Sequence, residues 1–335
     1  MSIIESLRVV WSDGRHNAFP SLIRFRNRLF LSFRSSTGHA ADDGRITLLC
    51  SDDDGATWRQ LPSPLVDRDY YEGFLVEFQG RLFMYGGGFP DDMQYPVWCY
   101  QNREFFSSSE DGEHWGPVQE VYPPYPIRFW RPIVIGEKLY VGAYRSIQRV
   151  DRESEMEVDL YCSEDGQKWH YVSDISREKA ERHNETALVY RDGTLTAFLR
   201  SEARGRPMTM RTSLEPFTEW SEPMRLPFSL LGPDAFDMNG RRFLFGRWRG
   251  ADMPKLPVDR STVRLRSFVQ EADGTFRFYA EFPSAFDCTY SDAVKLDDQR
   301  MLVAYYSQHE HASRPDFKDM ATGSDIFLAV VRTDG

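Results

Sequence analysis

The chain has 335 residues, of which 14% are aromatic and 27% charged, and its formal net charge is −10 at pH 7. That acidic balance argues against a nucleic-acid partner, and no apolar run approaches the length that spans a membrane. Met1-Ser2-Ile3-Ile4-Glu5 has neither the basic nor the apolar region of a secretion signal, which predicts a cytoplasmic protein. Cys50, Cys99, Cys162 and Cys288 form no CxxC pair, and three of them fall in or at the end of apolar strand patterns. Reduced, buried thiols are expected rather than disulfides.

Taken in order, the chain repeats one module six times. Leu7-Arg8-Val9-Val10-Trp11 reads as a lone strand, and Ser21-Leu22-Ile23-Arg24-Phe25 then turns through Arg26-Asn27-Arg28 into Leu29-Phe30-Leu31. The same resumption after a turn recurs at Leu82-Phe83-Met84, Leu139-Tyr140-Val141, Leu195-Thr196-Ala197, Arg242-Phe243-Leu244 and Met301-Leu302-Val303, 47 to 59 residues apart. In the fourth copy the turn is Arg191-Asp192-Gly193, where Asp-Gly suits a tight hairpin. A third strand follows each hairpin, at 45–50, 103–107, 157–162, 207–212, 262–267 and 325–331. A fixed period of this length made of strands alone predicts an all-β fold, a six-bladed β-propeller with four-stranded antiparallel blades. Residues 1–335 then form one domain, with the lone N-terminal strand completing the last blade and removing free sheet edges.

Four third strands run into a turn that ends in tryptophan: 51–58, 108–115, 162–169 and a degraded copy at 213–220. In the first, Ser51, Asp53, Gly55, Thr57 and Trp58 form the pattern Ser-x-Asp-x-Gly-x-Thr-Trp. Hydroxyl and carboxylate can satisfy turn N–H groups, glycine permits the left-handed backbone, and the indole packs between sheets. These acids join outer strands, so they read as structural rather than catalytic or calcium-binding. His309-Glu310-His311, read as strand, puts its histidines and Glu310 on opposite faces and makes no metal site. No metal or cofactor is expected: the chain has no P-loop, HExxH, GxSxG or dinucleotide glycine fingerprint.

In an antiparallel hairpin the start of the first strand and the end of the second lie together. One mouth should therefore gather His16, Asn17 and Arg34 from blade one, and Tyr70, Tyr71 and Glu72 from blade two. Arg128, Arg131, Tyr144 and Arg145 would come from blade three, and Asn184, Glu185 and Arg200 from blade four. Blade five adds Asp234 and Arg247, and blade six adds Tyr290, Ser291, Asp292 and Tyr306. Arg34, Arg200 and Arg247 hold the same repeat position, five residues past the anchor, and converging guanidiniums on an acidic protein suggest an anion site.

At these residues the chain resembles the sialidase superfamily, and the Trp-ended turn is similar to that family's Asp-box, also called the BNR repeat. Asn184-Glu185-Thr186 through Leu199-Arg200-Ser201 resembles the stretch that carries a glutamate and one arginine of the family's carboxylate-binding triad. Tyr290-Ser291-Asp292-Ala293-Val294 resembles the segment with its tyrosine nucleophile. The resemblance implies Tyr290 as nucleophile, Glu185 as its base and Arg200 in the anion clamp. The chain is a divergent member, because Asn17-Ala18-Phe19-Pro20 stands where the family has Phe-Arg-x-Pro. Arg131 or Arg34 is a candidate replacement for the missing arginine. The family's acid/base aspartate lies in the loop before the first Asp-box, and here that loop offers His39, Asp42 and Asp43. The expected catalytic set is Tyr290, Glu185, His39 and Asp43. The expected substrate-binding set is Arg34, Arg131, Arg200, Arg247, His16 and Asn17. The implied activity is a glycoside hydrolase that removes a terminal acidic sugar, sialic acid or a uronate, from a small molecule or oligosaccharide. The alternatives are a lyase acting on uronates and a non-catalytic carbohydrate-binding propeller.

Overall fold

The computed structural model describes residues 2–88, 103–123, 127–148, 154–203, 205–248 and 259–335. They form a six-bladed propeller of antiparallel sheets. Blade one runs outward from the axis through His16–Phe25, Arg28–Ser36, Arg45–Ser51 and Arg59–Leu61. Blade four repeats this with His183–Arg191, Thr194–Ser201, Thr209–Leu214 and Met224–Arg225. Blade five has Leu230–Met238, Arg241–Trp248, Arg264–Gln270 and Phe276–Phe282. The inner strand of blade three is split into Arg128–Phe129 and Ile133–Ile135, both paired with Lys138–Gln148. In blade six the N-terminal strand Ile4–Trp11 pairs with Asp325–Arg332 outside Arg300–Ser307 and Cys288–Lys295.

Blades hold to one another through apolar seams and through the Trp-ended turns. Ser51 Oγ accepts from Gly55 N at 2.8 Å, while Asp53 accepts from Thr57 N at 2.8 Å and from Thr57 Oγ1 at 2.6 Å. Ser109 with Asp111, and Ser163 with Asp165, repeat the arrangement. Gly112 has φ +80°, and a Cβ there would sit 2.3 Å from Phe30 Cζ, so this glycine is needed for handedness and for room. Trp169 packs on Phe129 and Tyr85 with centroids 4.7 and 5.7 Å away. Ser51 pairs with Leu29 beside the Arg26–Asn27 turn, so the tryptophan turns lie at the end opposite the mouth.

Cys50 and Cys288 are buried free thiols and Cys162 is a half-buried one, whereas Cys99 lies outside the described residues. Contrary to expectation, His309–His311 is a 3-10 turn and not a strand. In this turn the two histidines diverge, His311 toward Asp325 at 2.9 Å and His309 Nδ1 toward Ser307 Oγ. No helix among the described residues is long and apolar enough to cross a membrane.

The inner strands share a feature that the repeat pattern does not reveal. In every blade the inner strand carries one more residue than the strand it pairs with. The register slips between Ala18 and Ser21, His183 and Thr186, Leu231 and Asp234, and Thr289 and Asp292. Blade two slips between Tyr70 and Phe74, and blade three between Phe129 and Ile133. A bulge of this kind bends the strand and re-aims side chains. Above it the side chains face the mouth, and below it Ser21, Leu75, Arg131, Leu188, Asp234 and Asp292 line a channel along the axis.

Candidate functional site

The bulges of blades one, five and six each hold a residue in the left-handed region: Phe19 at φ 57°, Gly232 at φ 59° and Tyr290 at φ 49°. For two bulky aromatic residues that conformation is uncommon and costs energy, and such strain gathers at sites of function. The three meet. Phe19 and Tyr290 have centroids 4.6 Å apart, and a Cβ on Gly232 would lie 2.9 Å from Tyr290 Cδ2. Trp130 closes the other side of the Tyr290 ring at 5.3 Å.

Held in this cage, Tyr290 Oη donates to Glu185 Oε1 at 2.5 Å. Glu185 Oε2 accepts from Gly232 N at 3.0 Å and pairs with Arg200. In blade four the bulge lies one position nearer the mouth than in blade one, which places Arg200 across from Glu185. Arg200 also pairs with Glu202, and its buried Nε has no hydrogen-bond partner among the described residues. Burial, followed by the Glu185 charge, pushes the Tyr290 phenol well above its ordinary value of 10, so it is neutral at physiological pH.

Beside this trio is a second cluster centred on Asp287, a fully buried residue just before the inner strand of blade six. Its Oδ2 meets His16 Nε2 at 2.9 Å and His39 Nδ1 at 2.6 Å. Its Oδ1 accepts from Arg247 Nη1 at 3.0 Å, Tyr306 Oη at 3.1 Å and Arg260 Nη2 at 3.4 Å. Burial would raise this carboxyl, but His39 and His16 outweigh it and hold it well below the usual range. His16 has no exposed side-chain surface, and burial lowers its pKa, whereas 21% of the His39 side chain is open to solvent. His16, His39 and Asp287 offer ligand atoms within 4.8 Å of one another. With two guanidiniums already on Asp287 and direct hydrogen bonds joining all three, the arrangement suits proton transfer better than a cation. The Arg247 Nε is buried without a hydrogen-bond partner among the described residues.

The structure therefore brings Tyr290, Glu185, Arg200, Arg247, His16 and His39 to one mouth. Other candidates are engaged elsewhere. Arg34 is completely buried and binds the carbonyls of Tyr70, Gly38, His39 and Ala41 together with Ser36 Oγ and Asp69, so it ties down the His39 loop. Arg131 enters the axial channel, where it meets Asp292 at 2.7 Å and the carbonyls of Pro20 and Ser291. Asn17 is spent on Asp13 and Ser324. Asp43 accepts from Thr37 and pairs with Arg15 at 3.0 Å on the outside of the loop. Ala18 is fully buried, and neither Arg34 nor Arg131 replaces a guanidinium there.

Asp287, Arg260, Phe19 and Gly232 escape a reading by repeat position. Asp287 stands one residue ahead of its strand, and Arg260 belongs to a short 3-10 turn, Arg260–Thr262. The one sequence signal for Asp287 is its place next to Cys288, which pairs with Ser307 as Asn17 pairs with Ser35, so that Asp287 stands where blade one has His16.

No protein-family model matches the chain, and no curated protein matches it in sequence. Among solved structures it is similar to a protein of unknown function from Dyadobacter fermentans, with TM-score 0.78, 17% identity and 98% of each chain covered. It is also similar to Trypanosoma rangeli sialidase in complex with the inhibitor DANA, with TM-score 0.68, 12% identity, and 96% of this chain against 55% of that one. The endosialidase of phage phi92 gives TM-score 0.72 and 11% identity over 98% of this chain and 69% of that one. The chain spans about half the length of the trypanosomal enzyme. Its fold is that of a sialidase-like six-bladed propeller.

Proposed function

We propose that the mouth binds and hydrolyses a glycoside whose terminal sugar carries a carboxylate. The observation that carries this reading is the buried Tyr290–Glu185–Arg200 chain with Arg247 alongside. A neutral phenol backed by a carboxylate can attack an anomeric carbon that carries its own negative charge, where an anionic nucleophile would be repelled. Tyr290 Oη forms a bond to that carbon as Glu185 Oε1 takes the phenolic proton. His39, protonated, gives its Nε2 proton to the departing glycosidic oxygen. A water then attacks the same carbon and passes a proton to His39, and Tyr290 leaves with the proton held by Glu185. Arg247 and Arg200 supply the guanidinium charges that hold the sugar carboxylate, where a charge-assisted bond is strongest. A trypanosomal sialidase of the same fold has been solved with 2,3-difluorosialic acid as a covalent intermediate, which supports the covalent route.

A panel of fluorogenic sialosides and uronides tests this reading. Tyr290→Phe and Glu185→Gln should each cut turnover about 10²-fold or more while the acidic sugar still binds. Intact activity in both variants would refute the assigned roles. One observation favours a second reading, because Arg34 and Arg131 are both occupied and Ala18 leaves the clamp with two guanidiniums. A carboxylate then need not sit on the anomeric carbon, and His39 could take the proton next to a uronate carboxyl in an elimination. An unsaturated product absorbing in the ultraviolet would mark that chemistry, and binding without turnover would mark a carbohydrate-binding propeller.

A further inference from the structure

The geometry points to Asp287 as the positioning residue of the mouth: it fixes the His39 ring with Nδ1–H turned inward and Nε2 turned to the substrate. Through its second oxygen it ties that ring to the anion-binding Arg247. The inference deepens the proposed function, resting on His39 as acid and base, and it stands on three observations.

The first is the division of the carboxylate. Oδ2 takes both histidines, at 2.9 Å and 2.6 Å, and Oδ1 takes Arg247, Arg260 and Tyr306. An ionised carboxylate only accepts, so each nitrogen that meets it must be a donor. His39 therefore holds a proton on Nδ1 in both of its charge states, which leaves Nε2 as the atom that gains and loses one. His16 is held as Nε2–H, and its buried Nδ1 has no hydrogen-bond partner among the described residues. A proton there would be an unsatisfied buried donor, so His16 stays neutral and His39 carries the exchangeable proton.

The second observation is that Asp287 cannot turn. Its own N–H donates to Gln308 Oε1 at 3.2 Å, and Gln308 Nε2 in turn donates to the Thr322 carbonyl at 2.7 Å. Arg260, from the 3-10 turn of blade five, reaches both Asp287 and Asp319. The third is the wall. Phe19 packs on His39 with centroids 5.4 Å apart and on Tyr290 at 4.6 Å, so one ring separates the nucleophile from the acid. Arg34 fastens the loop by donating from Nη1 to the His39 carbonyl.

The groups that face the His39–Asp287 pair come from three blades: His16 and Arg34 from blade one, Arg247 and Arg260 from blade five, Tyr306 from blade six. Three of these are cations, Arg34 and Arg260 paired also with Asp69 and Asp319, so loss of the Asp287 charge removes the carboxylate that His39 shares with Arg247. A substrate carboxylate on Arg247 would compensate part of that cationic field, which links binding of the anion to the charge on the acid.

The test is nitrogen NMR of the full chain labelled at histidine, with the His39 signals assigned by their loss in His39→Gln. In the wild-type protein at alkaline pH, His39 should show a protonated Nδ1 and a bare Nε2. Asp287→Asn should abolish that preference. On the best sugar of the panel kcat should fall on the order of 10²-fold. An Nε2–H tautomer in the wild-type protein would overturn the inference, and so would an unchanged tautomer in Asp287→Asn. If that variant fails to fold, the wild-type spectrum alone decides. The Nδ1–H tautomer without turnover of any sugar would keep the positioning role and remove the hydrolase reading. The opposite tautomer with turnover would do the reverse.

Discussion

Glu104 offers a direct measure of what the propeller spends to keep a carboxyl in its interior. It sits between blades two and three, 2% exposed, and its Oε1 accepts from Phe129 N at 2.9 Å. Burial, reinforced by the Glu72 charge, pushes it up from an ordinary 4.5 to about 8. With the folded value above the unfolded one, the neutral form is what the fold tolerates. Stability is full below about 4.5 and is lost as pH rises toward 8. Each pH unit in that window costs about 1.4 kcal/mol, so the loss has a ceiling on the order of 5 kcal/mol. Relaxation around the ionised group reduces this to roughly 2–4 kcal/mol. Glu104→Gln keeps an acceptor for Phe129 N and removes the charge. Urea unfolding followed by tryptophan fluorescence should give two proteins within about 1 kcal/mol of each other at pH 5. The variant should then gain steadily and stand roughly 2–4 kcal/mol above wild type at pH 8. A gap that does not change with pH, or one that favours wild type at pH 8, would refute the reasoning. It would mean that ionised Glu104 forms a net favourable pair.

Three further outcomes follow from the same physics. Gly112→Ala combines a left-handed φ of +80° with a Cβ placed 2.3 Å from Phe30 Cζ, and should lower stability by about 2–4 kcal/mol in urea. Arg131→Met would strand Asp292 and Asp234 in the axial channel, and breaking a buried pair in this way should cost about 3–5 kcal/mol; a thermal scan showing no loss would contradict the pairing. Arg247→Met should weaken binding of an acidic sugar by about tenfold or more while leaving its methyl ester unaffected, as read by calorimetry.

What the sequence determined by itself is the ring. Hairpins, their turns and the Ser-x-Asp turns ending in Trp58, Trp115 and Trp169 are local chemistry, satisfied within a few residues, and six copies in phase leave a closed propeller as the economical solution. Tyr290, Glu185 and Arg200 were legible for the same reason, since each lies within its repeat at a position that must face the axis. The tertiary structure alone decided how these positions are used. The bulge turns Phe19, Gly232 and Tyr290 toward one another, and no periodic pattern encodes where an extra residue falls. Arg34 and Arg131 read from the sequence like ligands for an anion, yet the folded chain engages most of their hydrogens on its own carbonyls and carboxylates. Asp287 had no motif to announce it. Its part depends on His16 and His39 from blade one, Arg247 and Arg260 from blade five and Tyr306 from its own blade meeting at one buried carboxylate. A group whose partners lie up to 271 residues away acquires its chemistry only when the ring closes.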